Sequence, residues 1–299
     1  MVNWLLLILP GCIWGASFLF IAEGLEAVEP NGVTFTRIAI GFLTLSLFPA
    51  ARRPIRAADR WGTAGLGVLW LAFPLSMFPF AEQHVSSALT GMLNGATALT
   101  AATVASVLAR RLPSSGVLAG LAVGIAGAIL IALPGFTTDG SSSGQGFGVF
   151  LIVMALVSYG FAVNLAGPLQ QRNGALPVIW RALAVALVLT APLGAPALLH
   201  AHWTVRSAAS LLMLGAGGTA IAPVLTATAA GRMGATTASA TTFLMPVVAL
   251  ALGVWIRDEH VAPLSIAGAA ICLGGAWLIR RSTAARDFVA PALREGAKV

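Results

Sequence analysis

Charge is scarce in this sequence. Of 299 residues, 17 are Lys or Arg and 10 are Asp or Glu, 9% in all, against about 25% in a soluble domain whose surface faces water. So few charges cannot coat a soluble body of this size, which excludes a soluble enzyme, a disordered chain and a nucleic-acid binder. Cysteine is nearly missing as well. Cys12 and Cys272 stand far apart in apolar runs and offer neither a disulfide framework nor a metal-ligand spacing. The four histidines, His84, His200, His202 and His260, fall at the ends of apolar runs, and no cysteine neighbours one. A nucleophile–base pair or three convergent metal ligands are not visible, and His200-x-His202 beside Trp203 reads as a boundary pair. The Walker A pattern is missing too, so ATP is not the expected energy source. No catalytic residue, metal or cofactor is expected.

Apolar residues are abundant: 58% of the chain is hydrophobic, 33 residues are glycine, and the mean hydropathy is +0.90. A helix crossing the hydrocarbon core takes about 20 mostly apolar residues, and the charged positions cut the chain into such lengths. The sequence predicts an all-α integral membrane protein with ten transmembrane helices, at about 4–22, 31–50, 61–81, 86–109, 115–134, 147–169, 175–199, 207–229, 235–256 and 262–279. The first run has no basic leader and no small-x-small cleavage site, and Glu23, Glu26 and Glu29 follow it. It reads as a retained span.

Orientation follows from the basic residues. With the N-terminus in the cytoplasm, the cytoplasmic segments hold 13 of the 17, namely Arg52, Arg53, Arg56, Arg60, Arg110, Arg111, Arg172, Arg232, Arg280, Arg281, Arg286, Arg294 and Lys298. The outer loops hold Arg206 and Arg257, whereas Arg37 and Arg181 lie inside spans. This split obeys the positive-inside rule. It predicts a multi-pass protein of the inner (plasma) membrane with both termini cytoplasmic.

The second half repeats the first. Residues 88–131 can be laid on 236–279, matching Gly120 with Gly268, Gly127 with Gly275, and Arg110-Arg111 with Asp258-Glu259. Trp14-Gly15 matches Tyr159-Gly160, and Asn31-Gly32 before Arg37 parallels Asn173-Gly174 before Arg181. Five spans per half is an odd number, so the copies run oppositely through the membrane, the inverted-repeat plan of many carriers. The expected units are repeats at 1–134 and 147–281, an outer linker at 135–146 containing Ser141-Ser142-Ser143, and a cytoplasmic tail at 282–299 lying on the anionic leaflet.

The run Trp14-Gly15-Ala16-Ser17-Phe18 resembles the start of the drug/metabolite transporter superfamily, EamA-like branch. That branch has an arginine early in the second helix of each repeat, matched by Arg37 and Arg181, and a polar G-E-R-x turn between the fourth and fifth helices. Here the turn reads Arg257-Asp258-Glu259-His260 in the second half and Arg110-Arg111-Leu112, without glutamate, in the first. The resemblance covers almost the whole chain up to about Arg281. It implies a ten-helix export carrier for small metabolites, with a central cavity lined by both repeats.

Trp14 and Tyr159, each followed by glycine, are expected to line that cavity with the mid-membrane amides Asn94 and Asn164, whose polar ends need partners. Met245-Pro246 suggests a local break that frees a carbonyl, and Pro74, Pro79 and Pro223 act likewise. Ser17, Phe78 and Thr241 complete the expected substrate-binding set. The alternative for each is helix packing. Arg37 and Arg181 read as structural residues bonding neighbouring carbonyls, or as anion contacts that grip a carboxylate. Near opposite faces, they are not expected to share one ligand. Glu23 and Glu82, both placed at outer span ends, are the candidates for proton antiport; facilitated exchange fits as well. Gly120-x-x-x-Gly124 and Thr63-x-x-x-Gly67 suit internal crossings or a homodimer contact.

The sequence thus predicts a secondary transporter that exports small metabolites, such as amino acids, similar amphipathic compounds or drugs, by alternating access. Its partners are a small-molecule substrate and the lipid bilayer, with no nucleic acid. Alternatives are an importer or lipid-linked flippase of the same fold, or a membrane-embedded enzyme or binding protein.

Overall fold

A computed structural model describes residues 2–110, 112–134, 142–234 and 238–296. Among them the chain is helical throughout, with no strand. We number the helices α1 (Val2–Leu25), α2 (Pro30–Ser46), α3 (Ala57–Glu82), α4 (Ser87–Leu108), α5 (Ser115–Ala132), α6 (Ser142–Asn173), α7 (Ala175–Ala197), α8 (Val205–Met233), α9 (Leu244–Arg257) and α10 (Pro263–Gly296). Nine helical segments among the described residues are long and apolar enough to cross a bilayer. The tenth span, α2, has 17 residues, about 25 Å of helix at 1.5 Å per residue. Ten crossings put both termini on one face, called the termini face below.

Several boundaries differ from the sequence expectation. α2 stops at Ser46, and Pro49–Arg52 forms a separate 3-10 turn, because Pro49 has no N–H with which to continue the helix. The expected linker is already helical from Ser142, while residues 135–141 lie outside the described set. α10 continues through the expected tail to Gly296, and residues 297–299 are outside the described set. Helix starts follow ordinary capping chemistry. Ser86 Oγ accepts from Leu89 N at 3.2 Å before α4. Before α8, Thr204 and Ser207 cap each other, Ser207 N donating to Thr204 Oγ1 at 3.1 Å and Thr204 N to Ser207 Oγ at 3.0 Å.

Helix contacts obey a two-fold pattern in which helix n of the first repeat stands for helix n+5 of the second. α1 packs on α8 and α9 as α6 packs on α3 and α4; α2 packs on α8 as α7 packs on α3. The pairs α2–α7, α4–α9 and α5–α10 map onto themselves. The α5–α10 crossing is the tightest of these. A Cβ built on Gly127 would lie 2.7 Å from the Gly268 carbonyl oxygen, and one on Gly120 would lie 2.8 Å from that of Gly275. No side chain separates the two backbones there, which is what small residues permit in lipid. The same symmetry joins Gly15, facing the Met245 carbonyl at 2.9 Å, to Gly160, facing that of Thr100 at 2.9 Å. It also joins the left-handed residues after α4 and α9, Arg110 at φ 50 and Asp258 at φ 52. The architecture is two inverted five-helix repeats.

One landmark does not share this equivalence. Asn31 and Gly32 lie in the first turn of α2, whereas Asn173 closes α6 and Gly174 precedes α7 with φ 82. Outside the bundle, Leu43, Val188 and Leu193 stand exposed, as an apolar belt facing acyl chains requires.

Candidate functional site

α3 and α8, equivalent helices, each widen into a π register, at Gly67–Ala72 and Met213–Ile221. In that register the carbonyl of residue i waits for the N–H of residue i+5. For Leu69 and Gly218 that residue is Pro74 or Pro223, which has no N–H. Both freed carbonyls are bonded from the opposite repeat: Ser158 Oγ donates to Leu69 O at 2.7 Å, and Trp14 Nε1 donates to Gly218 O at 2.9 Å. Pro79 similarly leaves Leu75 O to Thr34 Oγ1, at 3.2 Å. Such substitutes are obligatory where no water can reach.

A second pair of irregularities lies in α4 and α9, which face each other. α4 breaks between Ser87–Asn94 and Thr97–Leu108. At α9 the irregular part is the 3-10 turn Ser239–Phe243 that leads into the helix, just ahead of Met245-Pro246 rather than at it, because a proline in a first helical turn needs no N–H partner. Asn94 is buried at its break, where Thr97 Oγ1 donates to its carbonyl at 2.7 Å. Thr241 is buried with its hydroxyl unpartnered among the described residues, and Met245 is buried beside Gly15. Discontinuous helices at the repeat interface are where carriers of this plan build their sites.

Between these features lies a polar group inside an aromatic wall. Arg37 is 4% exposed, and its Nε donates to Thr219 Oγ1 at 3.2 Å. Thr219 in turn donates to Leu214 O at 3.0 Å. Thr219 adjoins Gly218, the residue held by Trp14 and faced by Ser17 Oγ at 2.7 Å from an added Cβ. Arg37 is within electrostatic reach of Glu82 and Tyr159. Both carboxylate oxygens of Glu82 are buried without a hydrogen-bond partner among the described residues. Among the described residues neither Arg37 nor Glu82 joins a salt bridge. Tyr159 lies against Phe78 at 5.9 Å between ring centroids, and Phe78 meets Phe18 edge-on at 5.7 Å.

The structure therefore gathers Trp14, Ser17, Phe78 and Tyr159 with Arg37. Asn164 is occupied elsewhere, donating to Ala101 O at 3.0 Å and Gly160 O at 2.8 Å. Arg181 lies apart, donating to Pro177 O at 3.1 Å, Arg52 O at 3.4 Å and Ala51 O at 3.5 Å. Sequence reasoning missed Thr219 and Phe18. Glu82 is the last residue of α3, at the span end where the sequence places it, and it follows Phe78 by one helical turn on the same face.

Ion pairs close both ends of this region. On the termini face Arg172 of α6 binds Asp59 of α3, Nη2 to Oδ1 at 2.7 Å, and Asn173 Nδ2 donates to Asp59 Oδ2 at 2.8 Å. On the opposite face Arg206 of α8 pairs with Glu23 of α1, which also binds Arg257 at 2.7 Å. The two pairs are symmetry mates with acid and base exchanged. The loops repeat the relation: Arg56 N donates to Asn173 Oδ1 at 2.9 Å, and His202 N donates to Ala27 O at 2.8 Å. Arg257 also binds Glu26 at 2.9 Å. Glu259, from the polar turn, clasps the start of α4, accepting from Ser87 Oγ at 2.6 Å and Ala88 N at 2.8 Å. Arg111, at the equivalent first-half turn, lies outside the described residues.

Two cavities accompany the bundle. One of about 300 Å³ opens on the face opposite the termini near His84 and His260, and an apolar one of about 480 Å³ lies between α4, α5 and α6. Neither is lined by Arg37 or Glu82. Among the described residues no group of His, Cys, Asp or Glu is placed to hold a metal ion.

Comparison with known proteins agrees with this architecture. A probable terminal-alkyne amino-acid exporter of Streptantibioticus cattleyicolor is 28% identical over 286 residues, covering 94% of each chain. A WAT1-related chloroplastic protein of Arabidopsis thaliana is 26% identical over 297 residues, covering 93% of this chain and 69% of the relative. A solved crystal structure superposes with a TM-score of 0.63 at 16% identity, covering 93% of this chain and 94% of its own, which shows a shared fold. The model of the EamA-like transporter family matches twice, over residues 2–133 and 146–281. With one match on each inverted repeat, the chain belongs to the EamA-like transporter family, and it is a multi-pass membrane transporter.

Proposed function

We propose that this transporter exports small amphipathic metabolites, amino acids or compounds like them, across the inner membrane by alternating access. The observation that carries this reading is the exchanged pair of ion clasps around a closed central group. Each clasp joins one repeat to the other, Asp59–Arg172 on the termini face and Glu23–Arg206 on the opposite face. Opening one while keeping the other exposes the Arg37 region to one side at a time. Rocking two inverted repeats about a fixed site is how such folds alternate.

Trp14, Ser17, Phe78 and Tyr159 form the wall of the substrate site, and Asn94, Thr241 and Met245 at the facing irregular turns bring it exchangeable polar contacts. Repeats 1–134 and 147–281 are the moving bodies. The basic residues of the termini face support a cytoplasmic placement of both termini. The amino-acid exporter among the relatives supports the direction and the solute class. Arg181 serves structure through its three carbonyl partners.

Counterflow in proteoliposomes tests the reading. Purified protein loaded against a panel of labelled amino acids and amphipathic metabolites is expected to show saturable exchange of at least one solute. Absence of exchange across the panel, together with chemical change of an added lipid, would overturn it in favour of a membrane enzyme.

A further inference from the structure

We infer that Arg37 and Glu82 together read the two charged ends of an α-amino acid, the guanidinium taking the carboxylate and Glu82 the ammonium. This deepens the carrier reading above and rests on it.

The two side chains are the unusual charges of the bundle. Arg37 is buried yet makes one hydrogen bond among the described residues, through Nε to Thr219, leaving both terminal nitrogens of its fork without a protein acceptor. Glu82 is half-buried, and both its carboxylate oxygens are shielded with no hydrogen-bond partner among the described residues. Among the described residues the two form no ion pair with each other or with any other group. An ion inside a protein without its partner is costly, so a bundle assembled for stability alone would close the gap between them or neutralise both.

The other charges near Glu82 are already engaged. Glu259 is held by Ser87 and Ala88, and Arg257 by Glu23 and Glu26. Arg181, the symmetry mate of Arg37, has its fork on main-chain carbonyls. Arg37 and Glu82 are thus the opposite charges left open, on α2 and α3.

Ligand chemistry follows from that pair. A simple carboxylate would satisfy Arg37 and leave Glu82 bare, and a simple amine would do the reverse. A zwitterion supplies both counter-charges at once and adds no net charge to a low-dielectric interior. A guanidinium fork matches a carboxylate with two parallel bonds. Phe18, Phe78 and Tyr159 beside the pair suit a hydrocarbon side chain on the same molecule.

The test uses three solutes of one carbon skeleton in proteoliposome counterflow: norvaline, norvalinamide and pentanoate. The intact transporter is expected to exchange norvaline at least ten-fold faster than either analogue. Glu82→Gln should fold with normal yield, having no hydrogen bond to lose, and should lower norvaline exchange at least ten-fold. Arg37→Lys keeps the charge but not the fork and should do the same. Equal exchange of pentanoate and norvaline would overturn the inference, as would unaltered norvaline exchange by folded Glu82→Gln. If other solutes of a wider panel exchange and norvaline does not, the zwitterion inference fails while the carrier reading stands. If nothing exchanges, both fail.

Discussion

Replacing Trp14 by phenylalanine removes one proton from the interface between the repeats. In the native bundle the indole N–H reaches the Gly218 carbonyl at 2.9 Å. That carbonyl has lost its π-register donor to Pro223. Without the indole it is an unmet acceptor at membrane depth, a loss of about 1–3 kcal/mol for a buried group. Interhelical hydrogen bonds in membranes average nearer about 0.6 kcal/mol because freed groups find other partners. Here the proline blocks the nearest one, so the effect belongs in the upper range. The smaller ring adds a packing loss that confuses a single measurement. The remedy is a double-mutant cycle with Pro223→Ala, which restores a backbone N–H at position 223. The packing loss appears in both backgrounds and cancels, and the hydrogen-bond component survives as coupling. We expect Trp14→Phe to cost about 1 kcal/mol less in the Pro223→Ala background, roughly 2–4 °C of melting temperature for a chain of ordinary size. Thermal unfolding of the purified transporter in detergent reads this directly. Equal shifts in the two backgrounds would refute the reasoning. Ser158→Ala with Pro74→Ala, the same test on the other repeat, should give the same sign.

Gly127→Val should destabilise by about 1–3 kcal/mol, because its new side chain meets the backbone of Gly268 and Cys272. Gly274→Ala, with nothing within 4 Å of its added Cβ, should be neutral or stabilising in the same melting assay. Asp59→Arg and Arg172→Asp should each impair exchange, and the double exchange should restore it, since the Glu23–Arg206 clasp shows the opposite polarity working at the equivalent place. Failure of the double variant, at normal folded yield, would argue against a clasp.

Much of the fold could be read from the chain because charge in lipid is confined to span ends. The positions of Arg52, Arg110, Arg172 and Arg232 bounded the helices, and the spacing of Gly120 and Gly127 against Gly268 and Gly275 located the crossing that joins α5 to α10. The π segments were not legible in the same way. Their apolar pattern is that of any span, and Pro74 and Pro223 marked a break without revealing which carbonyl it frees or what replaces the bond. The ion clasps were hidden for a different reason: Asp59 and Arg172 are 113 residues apart, so nothing local pairs them. Glu82 closes an apolar run and therefore reads as an interfacial residue. Its inward direction emerges only when α3 is seen packed against α2 and α6.

The exchanged polarity of the clasps has a consequence for assembly. Both acids, Glu23 and Asp59, belong to the first five helices, and both bases, Arg172 and Arg206, belong to the last five. Two copies of the first half, docked in this geometry, would set carboxylate against carboxylate at each rim. Two copies of the second would set guanidinium against guanidinium. Each half therefore rejects itself and accepts the other, so that a pseudo-symmetric bundle contains an instruction against true symmetry. The halves behave as a matched pair of unlike subunits that happen to share one chain.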